Sequence, residues 1–339
     1  MTARQRLAIL DSNVWRYVAD AGAELALIRA ARSSPLRIAV APAVLYEALR
    51  MRDADLRRRL ARLMTEPGWE RLMPEAYLEA MDVLDEMRCH RPGWLRQPPD
   101  QSRFNRFRYD WVRRRGGFWE RARIATDKES RDLALLDNNL MDRARDEARA
   151  TRQTLQQDGW HYHSIRLSDV RAGWSDAAPG WDGRQVAAWR AAAVDSTRTN
   201  WLRAGASRDW LEPFIDFHHI QYPDASWYQF WLDDVRETTL PREWLRWAVP
   251  FLQGMRKVTD GTPGDAQLAI YLVDADLLVT ADRAFAEIVD RVREEAPFPL
   301  AQTLLLPAGT DGVNMLLMHL SSEGILSRRS LQLHHLGTD

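Results

Sequence analysis

The sequence contains very little cysteine and lysine, and it has no long apolar run. The single cysteine, Cys89, excludes an intramolecular disulfide framework and a cysteine-rich zinc module, and it suits a reducing compartment. No apolar stretch approaches the roughly 18 residues that a membrane-spanning helix needs. The first ten residues lack the long apolar core of a signal peptide. We therefore expect a soluble, globular, cytoplasmic protein without a membrane partner.

The charge of the chain is almost balanced, with 47 basic and 48 acidic residues and a net charge of -1. A chain without a global field of one sign can hold nucleic acid only through a local patch. Lys128 and Lys257 are the only lysines, so arginine carries nearly all of the positive charge. We interpret this bias mainly as genomic base composition, with a smaller contribution from guanidinium groups that grip phosphate.

Short apolar runs alternate with helical patterns at both ends of the chain. Its 339 residues, 45% of them hydrophobic, allow one large core or two modest ones. Strands are predicted at 7–10 and 37–40, and again at 276–280 and 303–306. Each predicted strand near the N-terminus is followed by a helical pattern, and a further helix begins at Thr262. This alternation predicts an α/β fold with a central parallel sheet.

Other local patterns lead to further predictions. The spacing of Val14, Val18, Leu25 and Ile28 is compatible with one helix face, and residues 133–148 are predicted to form another helix. His161-Tyr162-His163 alternates as a strand would, without the further ligands that a zinc site requires. The ten tryptophans and tyrosines from Trp181 to Trp247 are interpreted as core anchors, with a ligand cage as the alternative.

Four carboxylates are predicted to converge on one edge of the sheet. Asp11 and Asp282 each follow the C-terminal end of a predicted parallel strand, which is the edge where ligands bind in open α/β sheets. Glu47 and Asp265 lie on helices next to those strands. Four acids gathered there would repel one another unless protons or cations neutralised them. Mg²⁺ or Mn²⁺ would suit such oxygen ligands, and two ions about 4 Å apart can hydrolyse a phosphodiester.

Each of these acids also has a purely structural interpretation. Asp11 could form a turn with Asn13 or cap the next helix, and Asp282 could cap the helix that follows it. Asp265 could complete a capping box, and Glu47 could be an exposed helix residue. These alternatives remain open for each residue alone, and the joint placement of the four favours a functional site.

The local sequence around these acids resembles that of the PIN-domain nucleases, best known as toxins of bacterial toxin–antitoxin pairs. The resemblance is carried by Leu10-Asp11-Ser12-Asn13, by Pro42 through Glu47, by Gly264-Asp265-Ala266, and by Val279-Thr280-Ala281-Asp282-Arg283-Ala284-Phe285. The last block is the most specific. The matching blocks cover about a third of the chain, and Ala284 stands where many family members carry a further acid.

The resemblance implies a three-layer sandwich and metal-dependent endonucleolytic cleavage of single-stranded RNA, with Mg²⁺ or Mn²⁺ as the cofactor. It implies metal ligands at Asp11, Glu47, Asp265 and Asp282. Asn13 and Thr280 would hydrogen-bond to these acids and orient them. The nuclease would be a toxin or a phage-defence effector, with an antitoxin or another regulatory protein as a partner. The alternative is a catalytically inactive module that binds nucleic acid or protein.

The region between the two matching ends is predicted to be a large helical insertion. We assign residues 1–50 and 256–310 to the PIN-like core, 51–255 to the insertion and 311–339 to a C-terminal helical tail. The tail could form the contact of a homo-oligomer or cover the sheet.

The clearest charged feature of this insertion runs from Arg96 to Arg123, where nine arginines face three acids and alternate with aromatic residues. Guanidinium groups and aromatic faces together are typical of single-strand binding. The arginines predicted to bind nucleic acid are Arg103, Arg106, Arg108, Arg113, Arg114 and Arg115. The alternative is a helical subdomain with its aromatics in the core and its arginines in solvent.

Overall fold

A computed structural model of the chain describes residues 6–137, 140–157, 159–173, 179–201, 205–220, 224–256 and 262–335. A five-stranded sheet lies at its centre, and all neighbouring strands in this sheet run parallel. The predicted α/β fold around a central parallel sheet is therefore confirmed.

The strands appear close to their predicted positions. Those of the described residues are β1 (Leu7–Leu10), β2 (Arg37–Val40), β3 (Glu70–Arg71), β4 (Arg171–Ala172), β5 (Val186–Ala187), β6 (Leu277–Thr280) and β7 (Gln302–Leu305). The order in the central sheet is β3-β2-β1-β6-β7, and β4 pairs with β5 in a separate antiparallel ribbon. Strands β1 and β2 match the prediction, while β6 and β7 differ from it by about one residue at their ends.

The two central strands are buried along their length. All four residues of β6 are buried, as are Ala8, Ile9 and Leu10 of β1. Such continuous apolar burial is typical of parallel strands with helices on both faces. Hydrogen bonds continue the pairing past the strand ends, because Asp11 N donates to Val279 O at 2.9 Å. The backbone at Asp11 is therefore fixed against β6.

Helices account for most of the other described residues. They are α1 (Ser12–Asp20), α2 (Glu24–Ser33), α3 (Pro42–Leu49), α4 (Ala54–Met64), α5 (Glu75–His90), α6 (Gln101–Val112), α7 (Phe118–Ile124), α8 (Thr126–Asp137), α9 (Leu140–Gln157), α10 (Ala188–Trp201), α11 (Ala206–Leu211), α12 (Ala225–Gln229), α13 (Pro241–Gly254), α14 (Thr262–Ala269), α15 (Arg283–Glu295) and α16 (Thr310–His335). Within the described parts of the chain, none of them combines the length and apolar character that crossing a membrane requires.

Two predicted helices are divided in the structure. The pattern from Val14 to Ile28 forms α1 and α2, because the chain turns at Gly22. Gly22 has a φ of +66°, a left-handed conformation that glycine adopts without steric cost. The predicted helix over 133–148 spans parts of α8 and α9, and the two residues between these helices lie outside the described residues.

The predicted strand at His161-Tyr162-His163 is wrong. These residues belong to a turn, in which Ser164 N donates to His161 O at 3.1 Å. Alternation of polar and aromatic residues over so short a stretch does not distinguish a strand from a turn, because the pairing partner lies elsewhere in the chain.

The segment assigned to the insertion contributes to the central sheet. Strand β3 pairs with β2 through Ala39↔Glu70 and Val40↔Arg71. Helix α13 also lies within 51–255, and it packs against α14 and α15. The sheet and the helices packed around it are therefore built from residues of the predicted PIN-like core and from residues of the predicted insertion.

The C-terminal tail begins with helix α16, as predicted, and residues 336–339 lie outside the described residues. Helix α16 packs against α1 and α2, with Val313, Leu316 and Leu320 buried. This part of the tail therefore covers helices that follow β1.

Many tryptophans of the middle region are core residues. Trp227 and Trp231 are fully buried, and the ring of Trp201 lies 5.5 Å and 5.3 Å from theirs. Trp94 joins the same cluster at 6.3 Å from Trp227. These rings belong to the same continuous apolar core as the sheet, and the interpretation of the tryptophans as core anchors is correct for Trp201, Trp227 and Trp231.

Candidate active site

The strand order creates a crevice next to β1 and β6. From β1 the chain adds β2 and then β3 on one side of the sheet, whereas β6 and β7 lie on the other side. The order therefore reverses between β1 and β6, and ligands of open α/β sheets bind outside the carboxyl ends of the strands at such a point. Asp11 follows β1 directly, and Asp282 lies two residues after β6.

Asp11 is buried and held by hydrogen bonds on both carboxylate oxygens. Its Oδ1 accepts from Ser12 N at 2.6 Å, and its Oδ2 accepts from Asn13 Nδ2 at 2.7 Å. Thr280 Oγ1 donates to the same Oδ2 at 2.6 Å. Asn13 Oδ1 in turn accepts from Ala281 N at 3.1 Å. The structure thus places both predicted orienting residues, Asn13 and Thr280, against Asp11.

Asp282 is tied to the same network through its backbone. Its N–H donates to Thr280 Oγ1 at 3.0 Å, and its Oδ1 accepts from Phe285 N at 3.0 Å. Asp282 therefore caps α15, and Asp11 likewise caps α1. The capping interpretation is correct for both residues. It does not compete with a functional role, because capping engages only part of each carboxylate's hydrogen-bonding capacity.

Glu47 and Asp265 are brought next to each other by a close approach of α3 and α14. Gly264 lies directly against the carboxylate of Glu47, since a Cβ added to Gly264 would overlap Glu47 Oε1 and lie 2.9 Å from its Cδ. Asp265 is the next residue along α14. Glycine is required at this position because any side chain would displace the carboxylate of Glu47.

Electrostatic interactions among the acids raise the pKa values of three of them, Asp11, Glu47 and Asp265, beyond the effect of burial. Burial and, to a smaller extent, the charges of Asp11, Asp282 and Glu47 together raise the pKa of Asp265 to about 9. Burial also raises the pKa of Glu47 to about 7, assisted by Asp11 and opposed by a hydrogen bond from Ser12. Burial raises the pKa of Asp11, and the hydrogen bond from Thr280 partly offsets this. Near neutral pH, Asp265 therefore holds a proton.

The carboxylate oxygens of the four acids are suitable ligands for a hard cation, but the acids are not close enough together in this structure to surround one. Carboxylate oxygens are the preferred protein ligands of Mg²⁺, and a cation would relieve the repulsion that now retains protons. Across the ranges that the structure describes, no three His, Cys, Asp or Glu side chains are close enough to share one ion. The acids thus share one electrostatic environment without forming one coordination sphere.

The six predicted arginines fall into two groups. Arg103 Nη2 pairs with Glu212 at 2.6 Å, and Arg113 Nη2 pairs with Asp110 at 2.9 Å. These two guanidinium groups therefore stabilise contacts within the protein. The others are exposed, and no acid in the described residues forms an ion pair with them: they are Arg106, Arg108, Arg114 and Arg115.

Most of the aromatic residues between these arginines are packed rather than free to stack on bases, and Tyr109 is the exposed exception among the described residues. Phe104 lies 4.9 Å from Phe214, and Phe107 lies 5.9 Å from Trp210. Trp111 and Phe118 are 4.5 Å apart. The alternative interpretation of a subdomain with aromatics in its core is therefore correct for these rings.

Sequence reasoning did not identify Arg71, which ends strand β3 at the same edge of the sheet as Asp11. Its guanidinium carbon lies 5.8 Å from the centre of the Trp119 ring. Burial lowers the pKa of Arg71, and the charges of Arg123 and Arg114 lower it further. A two-residue strand has no apolar run to mark it, so only the structure connects Arg71 with Arg114.

Ser12 and Arg50 were also missed. Both act on Glu47, the first by a hydrogen bond and the second by its positive charge, and each lowers the pKa of Glu47 in part. Ser12 lies within the block Asp11-Ser12-Asn13, so its neighbours could have signalled its role.

No protein-family model matches the chain, and comparisons with curated proteins and with solved structures also gave no match.

Proposed function

We propose that the chain is a divalent-metal-dependent endoribonuclease with a PIN-like three-layer sandwich. The observation that carries this proposal is a group of four acids at the switch point of the sheet, where burial and the charges of neighbouring acids raise the pKa values of Asp11, Glu47 and Asp265. Clustered buried acids lower the stability of the fold when no positive charge neutralises them. Groups with strongly shifted pKa values are typical of functional sites.

The residues proposed to hold Mg²⁺ or Mn²⁺ are Asp11, Glu47, Asp265 and Asp282. A divalent cation held by carboxylates activates water and stabilises a developing negative charge on phosphodiester oxygens. Asn13 and Thr280 fix the direction of the Asp11 carboxylate. The exposed guanidinium groups of Arg114 and Arg115 would bind the phosphates of single-stranded RNA.

The proposal is tested by incubating 5′-labelled single-stranded RNA with the protein in Mg²⁺, Mn²⁺ or EDTA. We expect cleavage that requires metal and is abolished in Asp11→Asn and in Asp282→Asn. Asp20→Asn is the matched control, because Asp20 is an exposed acid at the end of α1. Cleavage by Asp11→Asn at the wild-type rate would contradict the proposal.

A second candidate is an inactive module that holds nucleic acid or protein without cleaving it. Two observations favour it: no three described acids can share one ion, and Ala284 replaces a further acid of the resembled family. RNA binding that persists in EDTA, with no cleavage in any metal, would select this candidate. For an active toxin we expect a regulatory partner, such as an antitoxin encoded by a neighbouring reading frame.

A further inference from the structure

A cavity of about 600 Å³ lies between helices α9, α13 and α14. Its volume falls within the range of about 300–1,000 Å³ that is typical of small-molecule sites. Arg246 and Pro250 on its wall are exposed, so the cavity communicates with solvent. None of the four acids proposed to hold the metal lines this cavity.

Two parts of the wall connect the cavity to the acids. Arg50 lines the cavity, and its positive charge also lowers the pKa of Glu47. Pro263 and Ala266 line it as well, and they flank Asp265 in the first turns of α14. A ligand in the cavity therefore lies beside the helix turn that carries Asp265.

The wall combines aromatic faces with positive charge. The rings of Trp247 and Phe251 stack at 5.4 Å with an interplanar angle of 24°, and both side chains are half-buried on the wall. Because these two rings face each other, a planar ring can be held by continuing the stack on an outer face of the pair. Arg50 and Arg246 also line the wall, and both Nε and Nη2 of Arg246 donate to Glu79.

Hydrogen-bonding groups complete the wall. The amide of Gln267 can donate and accept, and the carboxylate of Glu147 can accept from an amino group. Side chains of these types pair with the edges of nucleobases. A planar ring with amino and carbonyl groups, linked to an anionic group, matches this combination of stacking surface, amide, carboxylate and guanidinium.

We propose that this cavity binds a nucleotide, with its base against Trp247 and Phe251 and its phosphate near Arg50. Binding of this kind goes beyond the proposed cleavage and does not depend on it. The nucleotide could be one residue of an RNA chain or a free mononucleotide, and both share the chemistry described here.

The first test is isothermal titration calorimetry with AMP, GMP, CMP and UMP in EDTA. We expect at least one of them to bind to wild-type protein and to Asp11→Asn equally well. Ala148→Trp should abolish this binding, because Ala148 lines the cavity and an indole would occupy it. Ala150→Trp is the matched control, since Ala150 is an exposed residue of the same helix outside the cavity wall.

A second variant addresses the stacking surface without filling the cavity. Trp247→Leu should weaken nucleotide binding by about tenfold, because base–aromatic stacking is removed. Thermal unfolding of each variant checks that it remains folded. Absence of binding by all four mononucleotides, or equal binding by Ala148→Trp and wild type, would overturn the proposal.

Competition with a short single-stranded RNA then distinguishes the two sources of the nucleotide. Displacement of the bound mononucleotide by RNA assigns the cavity to a residue of the RNA chain. Simultaneous binding of both assigns it to a free mononucleotide. The nuclease proposal and the nucleotide proposal can fail independently. If only the nuclease proposal is wrong, RNA stays uncut in every metal, but Ala148→Trp still abolishes nucleotide binding.

Discussion

Thr280 donates a hydrogen bond of 2.6 Å from its hydroxyl to Oδ2 of Asp11, and so joins two residues that are 269 positions apart. Both residues are fully or almost fully buried. The same hydroxyl accepts from Asp282 N, so one threonine positions both aspartates at the switch point of the sheet. Thr280 therefore controls the direction of Asp11 and the path of the chain towards Asp282.

We expect Thr280→Val to lower metal affinity or RNA cleavage by about 10- to 100-fold, the usual effect of removing a hydrogen bond that orients a ligand. Thr280→Ser keeps the hydroxyl and should retain most of the activity. Rates of cleavage at several Mn²⁺ concentrations provide the measurement.

Thr303→Val is the matched control for this substitution. Thr303 lies on the neighbouring strand β7, where its Oγ1 is buried without a hydrogen-bond partner in the described structure. Replacement of that hydroxyl by a methyl group should leave cleavage unchanged. Equal effects of Thr303→Val and Thr280→Val would show that the hydrogen bond to Asp11 has no special role.

The contact of Gly264 with Glu47 provides a second prediction. Gly264→Ala should displace the Glu47 carboxylate, because the new Cβ would overlap Oε1. We expect cleavage to fall by about tenfold or more, as for removal of an orienting hydrogen bond. Gly68→Ala is the control, since a Cβ at Gly68 meets nothing within 4 Å.

A double-mutant cycle sharpens this prediction. When Glu47→Gln is already present, Gly264→Ala should reduce cleavage much less than it does in the wild type, because the two substitutions act on the same group. Additive losses would mean that Gly264 acts independently of the Glu47 carboxylate.

The raised pKa of Asp265 predicts how stability depends on pH in EDTA. The pKa is about 9 in the folded protein and ordinarily 3.8, so between these values the folded state retains a proton that the unfolded chain has released. Because the folded state binds more protons, the free energy of unfolding falls as pH rises through this window. Urea denaturation at several pH values measures the slope.

Asp265→Asn should reduce that slope and stabilise the metal-free protein by about 0.5–2 kcal/mol at pH 8, since it removes an acid that must take up a proton on folding at this pH. Asp290→Asn, on the exposed side of α15, is a suitable control. An unchanged slope in Asp265→Asn would contradict the assigned pKa shift.

Exposed and paired arginines should respond differently to substitution. Replacement of both Arg114 and Arg115 by alanine should weaken RNA binding and reduce the slope of log K against log salt by about 0.7 for each phosphate that is no longer neutralised. Arg29→Ala, at an exposed arginine on α2, should leave the slope unchanged. Fluorescence anisotropy at several salt concentrations provides the measurement.

Arg103→Ala tests the paired group. This substitution leaves Glu212 without its ion-pair partner and should lower stability rather than the salt slope. A salt slope that changes as much in Arg103→Ala as in the Arg114 and Arg115 variant would mean that the ion pair opens to bind RNA.

The sequence predicted the elements around the acids because their signals are local. The apolar run that ends at Asp11 marks β1, and Pro42 marks the start of α3. The edge on which the four acids lie also follows from local signals, since carboxyl ends of parallel strands share an edge. The network among Asp11, Asn13 and Thr280 was expected only from the family resemblance.

Features that depend on distant pairing could not be predicted in this way. Strand β3 has two residues, and only its contact with β2 defines it. The ion pair of Arg103 depends on Glu212, which is 109 positions away. Gly264 approaches the Glu47 carboxylate closely only because α3 and α14 pack together, and no sequence pattern predicts that packing.

The pairing of β1 with β6 also sets a time at which the site can form during synthesis. Asp11 leaves the ribosome early, whereas Thr280 follows 269 residues later. At about 5–20 residues per second, this delay is roughly a quarter of a minute to a minute. Until then, β1 has no β6 neighbour and Asp11 has neither Thr280 nor Asp282 beside it. Chains that end before Asp265 therefore lack half of the acid group, and the complete site arises only after Asp282 has been synthesised.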